Sequence, residues 1–180
     1  MSTASWGACL HLLAICLALC AADRIVTAQE ASASWKTAPE LGRWNLIGHG
    51  TVDTPRAGAG IILPLDTTDP PSTLHSPRFS VPKRLATAVE IEYFSNLVTT
   101  APPIMRVAWL DDTLNEDRAE ACMVKVPIET GTIIVTRISL ASSPCWTDTG
   151  VMHELAINID QEDGLGEGEL QVYSIRLLRQ

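Results

Sequence analysis

Leu85-Ala86-Thr87-Ala88-Val89-Glu90-Ile91-Glu92-Tyr93 is the stretch that decides the fold. Leu85, Thr87, Val89, Ile91 and Tyr93 fall on one parity, and Ala86, Ala88, Glu90 and Glu92 on the other. A period of two fits a half-buried β-strand and does not fit a helix, whose apolar positions recur every three or four residues. The same period returns downstream. Met105, Val107 and Trp109 alternate with Arg106 and Ala108; Cys122, Val124, Val126 and Ile128 alternate with Met123 and Lys125. Ile133 to Leu140 is rich in β-branched residues, Leu155, Ile157 and Ile159 alternate with Ala156 and Asn158, and Tyr173, Ile175 and Leu177 alternate with Ser174 and Arg176. Upstream, Trp44 to Val52, Gly58 to Leu63 and Phe79 to Val81 read as shorter strands.

Proline and turn residues separate these runs: Thr54-Pro55, Asp69-Pro70-Pro71, Ser76-Pro77, Val81-Pro82 and Pro102-Pro103. Asp112 to Ala121 contains helix formers but no apolar stripe and reads as a loop. The expectation is an all-β chain, a sandwich of about eight or nine strands with turn signals every ten or so residues.

The amino end is different. Ala8 to Ala22 is apolar apart from His11, about 15 residues, shorter than the ~20 of a transmembrane helix. It reads as the apolar region of a cleavable signal peptide, residues 1–28, with cleavage after Ala28 (Val26-Thr27-Ala28) or after Ala22. The export reading places the protein outside the cell or in a periplasm. A lipid anchor on Cys20, in Leu17-Ala18-Leu19-Cys20, is the alternative. Residues 29–40 are small and polar and read as a flexible lead-in, leaving residues 41–180 as one β-sandwich domain. Of the five cysteines, Cys122 and Cys145 alone lie beyond the signal, and two cysteines in an exported domain are expected to pair. The loop they close would stabilise the fold by roughly 3 kcal/mol.

The formal net charge is -8 over 180 residues. Phosphate recognition needs clustered Lys and Arg, so the acidic balance argues against nucleic acid and against anionic membranes. Beyond the signal, no run is long enough to span a bilayer.

The carboxyl half carries a resemblance. Arg106-Val107-Ala108-Trp109 precedes Ser139-Leu140-Ala141-Ser142-Ser143-Pro144-Cys145-Trp146, which leads through Gly150 into Glu154-Leu155-Ala156-Ile157-Asn158-Ile159-Asp160. Gly166-Glu167-Gly168-Glu169-Leu170 then leads into Val172-Tyr173-Ser174-Ile175-Arg176-Leu177. Over about Leu74 to Leu178 this resembles the galactose-binding-like jelly roll of many carbohydrate-binding modules and discoidin-type domains. The resemblance implies a jelly-roll sandwich that binds glycan without catalysis. Calcium-stabilised modules of this kind tend to carry an Asp where Tyr173 stands; a phenol does not replace a hard carboxylate ligand, so no cofactor is expected.

Sugar recognition rests on aromatic faces and hydrogen bonds. Trp109 and Tyr93 are in phase with apolar neighbours and read as core. Trp44 reads as an anchor of the first strand and Trp35 as part of the lead-in. Trp146, in a loop after Cys145, is the candidate ligand-binding residue; its competing role is to plug one end of the sandwich. Paired carboxylates could hydrolyse a glycosidic bond if they converged across a cleft, and the acidic clusters are Asp111-Asp112, Glu116-Asp117 and Asp160 with Glu162-Asp163. Clusters in turns read first as solvated loops. Asp160-Gln161-Glu162-Asp163-Gly164 departs from the helix-loop-helix calcium pattern, because Leu165 stands at its glycine position. His49, His75 and His153 lack zinc-site spacing, and no Gly-x-Ser-x-Gly elbow is present.

Three functions follow in order: a non-catalytic module for a carbohydrate or cell-surface glycan; a structural or assembly protein of an envelope or matrix, working through protein contacts; and a small glycoside hydrolase.

Overall fold

The computed structural model describes residues 31–36, 38–47, 61–64, 73–111, 122–160 and 166–179. The signal segment with Cys20, His49, Asp112, Glu116, Asp117, Glu162 and Asp163 lie outside the described residues. In chain order the elements are β1 (Ala31–Trp35), the one-turn helix α1 (Ala38–Leu41), β2 (Asn45–Ile47), β3 (Ile61–Pro64), β4 (Thr73–His75), β5 (Val81–Pro82) and β6 (Ala86–Ser95). They continue with β7 (Val98–Thr99), β8 (Ile104–Asp111), β9 (Val124–Pro127), β10 (Ile133–Ser139), β11 (Val151–Asp160), β12 (Gly166–Glu167) and β13 (Glu169–Arg179).

Eleven of these strands build an all-β sandwich of two sheets. One sheet has the order β1-β13-β6-β10, with β3 also on β13. The other has the order β2-β4-β11-β8-β9, with β5 also on β11; β7 and β12 form a separate two-stranded ribbon. All the pairings are antiparallel. The strand number exceeds the eight or nine expected because β1, β4, β7 and β12 are too short or too polar to show a period.

Alternation decides which face each strand turns inward. Val89, Ile91 and Tyr93 of β6, Met105, Val107 and Trp109 of β8, and Leu155, Ile157 and Ile159 of β11 are all buried in one cluster, as their phase predicts. Between them they fill the space between the sheets, and apolar burial at about 25 cal/mol per Å² is the main force holding the sheets together.

Three expectations need correction. Residues 29–40 are not simply a lead-in: β1 pairs with the last strand, and Trp35 is buried against Trp44 (ring centres 5.2 Å) and Phe79 (5.7 Å). The edge of the sheet recruits it, because the buried indole outweighs the weak strand preference of its small neighbours. Leu85 does not join its strand. It lies exposed in a one-turn 3-10 helix over Lys83–Leu85, and that turn carries Lys83 inward instead. Tyr173 does not face the core with Ile175 and Leu177. The register slips between Val172 and Ser174, a β-bulge that puts one extra residue in β13. Leu170 and Val172 before it and Ile175 and Leu177 after it all stay inside, while Tyr173 and Ser174 are only half-buried.

Tyr93 ties the core to the β9–β10 turn by accepting a hydrogen bond from the Glu129 amide at 3.1 Å. Burial pushes its phenol above the ordinary value of about 10; the Glu129 amide pulls the other way, and the Glu129 carboxylate adds to the rise. The fold therefore favours the protonated phenol. That stabilisation is complete below the unfolded value and is lost as pH climbs through the folded one. The urea midpoint is expected to fall as pH rises above about 10, and to fall less in Tyr93→Phe; equal slopes for the two proteins would refute this.

Candidate functional site

Two places gather chemistry. The first surrounds Trp146, at the end of the sandwich closed by the disulfide. Cys122 and Cys145 are bonded, as expected. Trp146 follows immediately, half-buried, with its ring edge-on to Trp109 at 5.1 Å between centres and 77° between planes. The Lys83 ammonium lies 5.2 Å from the Trp146 ring centre and 6.0 Å from that of Trp109. It donates to Asp111 at 2.7 Å and to Thr147 at 3.0 Å. The Trp109 indole N–H also donates to Asp111, at 3.3 Å. The side chains of Lys83 and Asp111 are 1% and 2% exposed. This is a desolvated ion pair roofed by two indoles. Its charges compensate each other, and Asp111, one of the acidic residues considered for hydrolysis, is committed to the lysine.

The second place is the outer face of the five-stranded sheet. Antiparallel register puts side chains in rungs across three strands. Arg176 of β13, Glu90 of β6 and Arg137 of β10 form one rung; Ser174, Glu92 and Val135 form the next. Arg176 is ion-paired with Glu90, and the Ser174 hydroxyl donates to Glu92 at 3.1 Å. The bulge turns Tyr173 out beside them, where its hydroxyl donates to Gln171 at 3.2 Å. Gln171 in turn donates to Glu169 at 2.5 Å. Lys36, Glu90, Glu92, Val135, Tyr173 and Arg176 line an open groove of about 430 Å³, within the ordinary range for small-ligand sites of about 300–1,000 Å³. The groove therefore offers one aromatic ring, carboxylate acceptors, a guanidinium donor and a hydroxyl on rigid strands.

The other residues singled out in the sequence lie elsewhere. Trp109 and Tyr93 are core, each 1% exposed, and Trp44 is buried beside Trp35. His75 bonds Glu154 at 2.5 Å on β4 and β11, and His153 sits next to it in sequence on β11. No group of three metal-ligating side chains occurs among the described residues, and no helix among them is long and apolar enough to cross a membrane. Sequence reading did not single out Glu90, Glu92, Ser174 or Arg176. Their signal was present as the polar parity of two strands, but only the pairing of β6 with β13 turns two polar stripes into one surface.

No family model matches the chain, and no curated protein sequence does either. Among solved structures, the chain resembles the crystal structure of a non-crystalline cellulose specific carbohydrate-binding module, CBM28. The TM-score is 0.52 at 12% identity, over 76% of this chain and 87% of that one. The likeness is one of fold. It accords with the all-β sandwich of two antiparallel sheets expected from the alternating strands.

Proposed function

We propose that the protein is a non-catalytic carbohydrate-binding module whose ligand lies in the groove on the outer face of the five-stranded sheet. The observation that carries this reading is the side-chain set of the groove. A sugar presents an apolar face of C–H groups and a rim of hydroxyls. Tyr173 supplies a ring for the face, while Glu90, Glu92, Arg176 and Ser174 supply acceptors and donors for the rim. These polar groups are already bonded to one another, so little side-chain freedom is lost on binding. Carboxylates held by Arg176 and Ser174 serve as fixed acceptors. Hydrolysis would require one of them to act as a protonated acid.

The CBM-like fold and the Cys122–Cys145 bridge fit an extracellular protein. Export by residues 1–28, to the outside or to a periplasm, belongs to this proposal, and a glycan of a cell surface or an extracellular polysaccharide is the partner.

Affinity electrophoresis against soluble β-glucan, xylan, mannan and galactan tests it. At least one polymer is expected to retard the protein, and Tyr173→Ala to weaken that retardation about tenfold, ~1.4 kcal/mol. A folded Trp146→Ala separates the two surfaces: retention through the groove survives it, whereas retention through a Trp146 platform does not. Failure of every polymer to retard the protein would sink the glycan reading.

A further inference from the structure

Strand β6 carries three outward side chains in succession, and the groove accounts for two of them. The third is Phe94, whose rung is completed by Gln171 on β13 and Ile133 on β10. Ile133 is 61% exposed and Val135, one rung back, is 58% exposed. A pair of large apolar side chains in solvent beside a polar groove is not explained by core packing.

Past this rung the strands end, and the connecting loops form a second open cavity, of about 650 Å³. Val98, Thr100, Pro102, Ile128, Glu129 and Thr130 are among its walls, and Val98 is 65% exposed. The two loops are locked together. The Ile128 amide donates to the Pro103 carbonyl at 2.8 Å, and the Gly131 amide to the Ser95 carbonyl at 2.9 Å. The Glu129 amide is tethered to Tyr93, so the cavity is held by the core. It shares part of the groove's chemistry: apolar faces, one carboxylate and hydroxyls, without the groove's aromatic ring and cations.

The two cavities flank the apolar pair Phe94 and Ile133. From Glu90 to Phe94 is four residues, about 13 Å along the strand, and the end cavity lies beyond. That span is far longer than one sugar ring. We infer that the end cavity is a second subsite for the same ligand, so that an extended glycan runs along the strands, from the Arg176–Glu90 rung over Phe94 and Ile133 to Glu129 and Val98. This inference rests on the glycan reading of the groove. It adds the ligand class, a polymer bound along an internal stretch, and its direction over the fold.

Isothermal titration with oligomer ladders, dimer to hexamer, of β-glucan, xylan, mannan and galactan tests it. In the ladder that binds, the hexamer is expected to bind at least about tenfold more tightly than the shortest binder. Val98→Asp and Ile133→Asp are each expected to flatten the ladder, bringing the hexamer down to the affinity of the shortest binder. Both positions are exposed, and thermal melts check that the variants are folded. A flat ladder in the unaltered protein would overturn the inference while leaving the groove reading intact. So would a slope that both substitutions leave unchanged, which would return the exposed apolar residues to a protein contact. No binding in any ladder would overturn both readings together.

Discussion

Lys83→Ala is expected to cost about 3–5 kcal/mol of folding stability, the range for breaking one side of a buried ion pair. The size follows from what the substitution leaves behind. The Asp111 side chain is 2% exposed and its carboxylate faces Lys83 at 2.7 Å. Without the ammonium it loses this ion pair, and the Trp109 N–H, at 3.3 Å, is a neutral donor. The lysine also sits over the Trp146 and Trp109 rings, a contact worth up to about 2 kcal/mol when desolvated. A domain of this size is stable by about 5–15 kcal/mol in all, so the single variant is expected to unfold at low urea. The pair itself is a different matter, because desolvating both charges cancels much of their attraction. Lys83→Met together with Asp111→Leu is therefore expected to recover most of the loss. Urea denaturation of the two singles and the double separates the contributions. A Lys83→Ala cost below about 1 kcal/mol, the value of an exposed pair, would show that water reaches the site.

Lys83 also shows where sequence reading stops. It follows the Val81-Pro82 turn signal, which carries no hint of burial, and its burial is created by Asp111 and Thr147, 28 and 64 positions away. Periodicity reports which residues share a face of one strand, so the cores of β6, β8 and β11 were legible from their alternation alone. It does not report register. The slip at Tyr173 is invisible in the sequence, since Val172-Tyr173-Ser174 alternates no worse one way than the other. That one residue moves an aromatic ring from the expected core to the rim of the groove. The groove was illegible for the same reason. Glu90 and Arg176 are 86 positions apart and become neighbours only when β13 lies beside β6. Trp146 stood out because it is aromatic and follows a cysteine. That local signal does not reveal that the Lys83 ammonium already faces its ring.

Breaking the Cys122–Cys145 bridge, by reduction or by Cys122→Ser with Cys145→Ser, is expected to cost about 3 kcal/mol and to leave the Trp146 environment in place. The cost comes from the unfolded chain. The bridge closes a loop with a sequence separation of 23, and freeing it restores conformational entropy of about 3 kcal/mol. Within the described residues β9 is the last strand of one sheet and β10 the last of the other. The bridge thus pins both ends of the arch joining the sheets at their shared edge. The native geometry has other restraints at the same point. The Ser143 hydroxyl donates to the Cys122 carbonyl at 2.7 Å and accepts from the Cys145 amide at 3.2 Å. The Trp146 amide donates to the Ser143 carbonyl at 3.2 Å. These bonds, with the Trp109 and Lys83 contacts, hold the loop whether or not the sulfurs are joined. The urea midpoint should therefore drop on reduction, while the near-ultraviolet dichroism of the tryptophans in the absence of urea stays unchanged. An unmoved midpoint would mean that the unfolded chain is already compact around this loop. A lost tryptophan signal would mean that the bridge positions Trp146 directly, and that the hydrogen bonds around Ser143 follow from it.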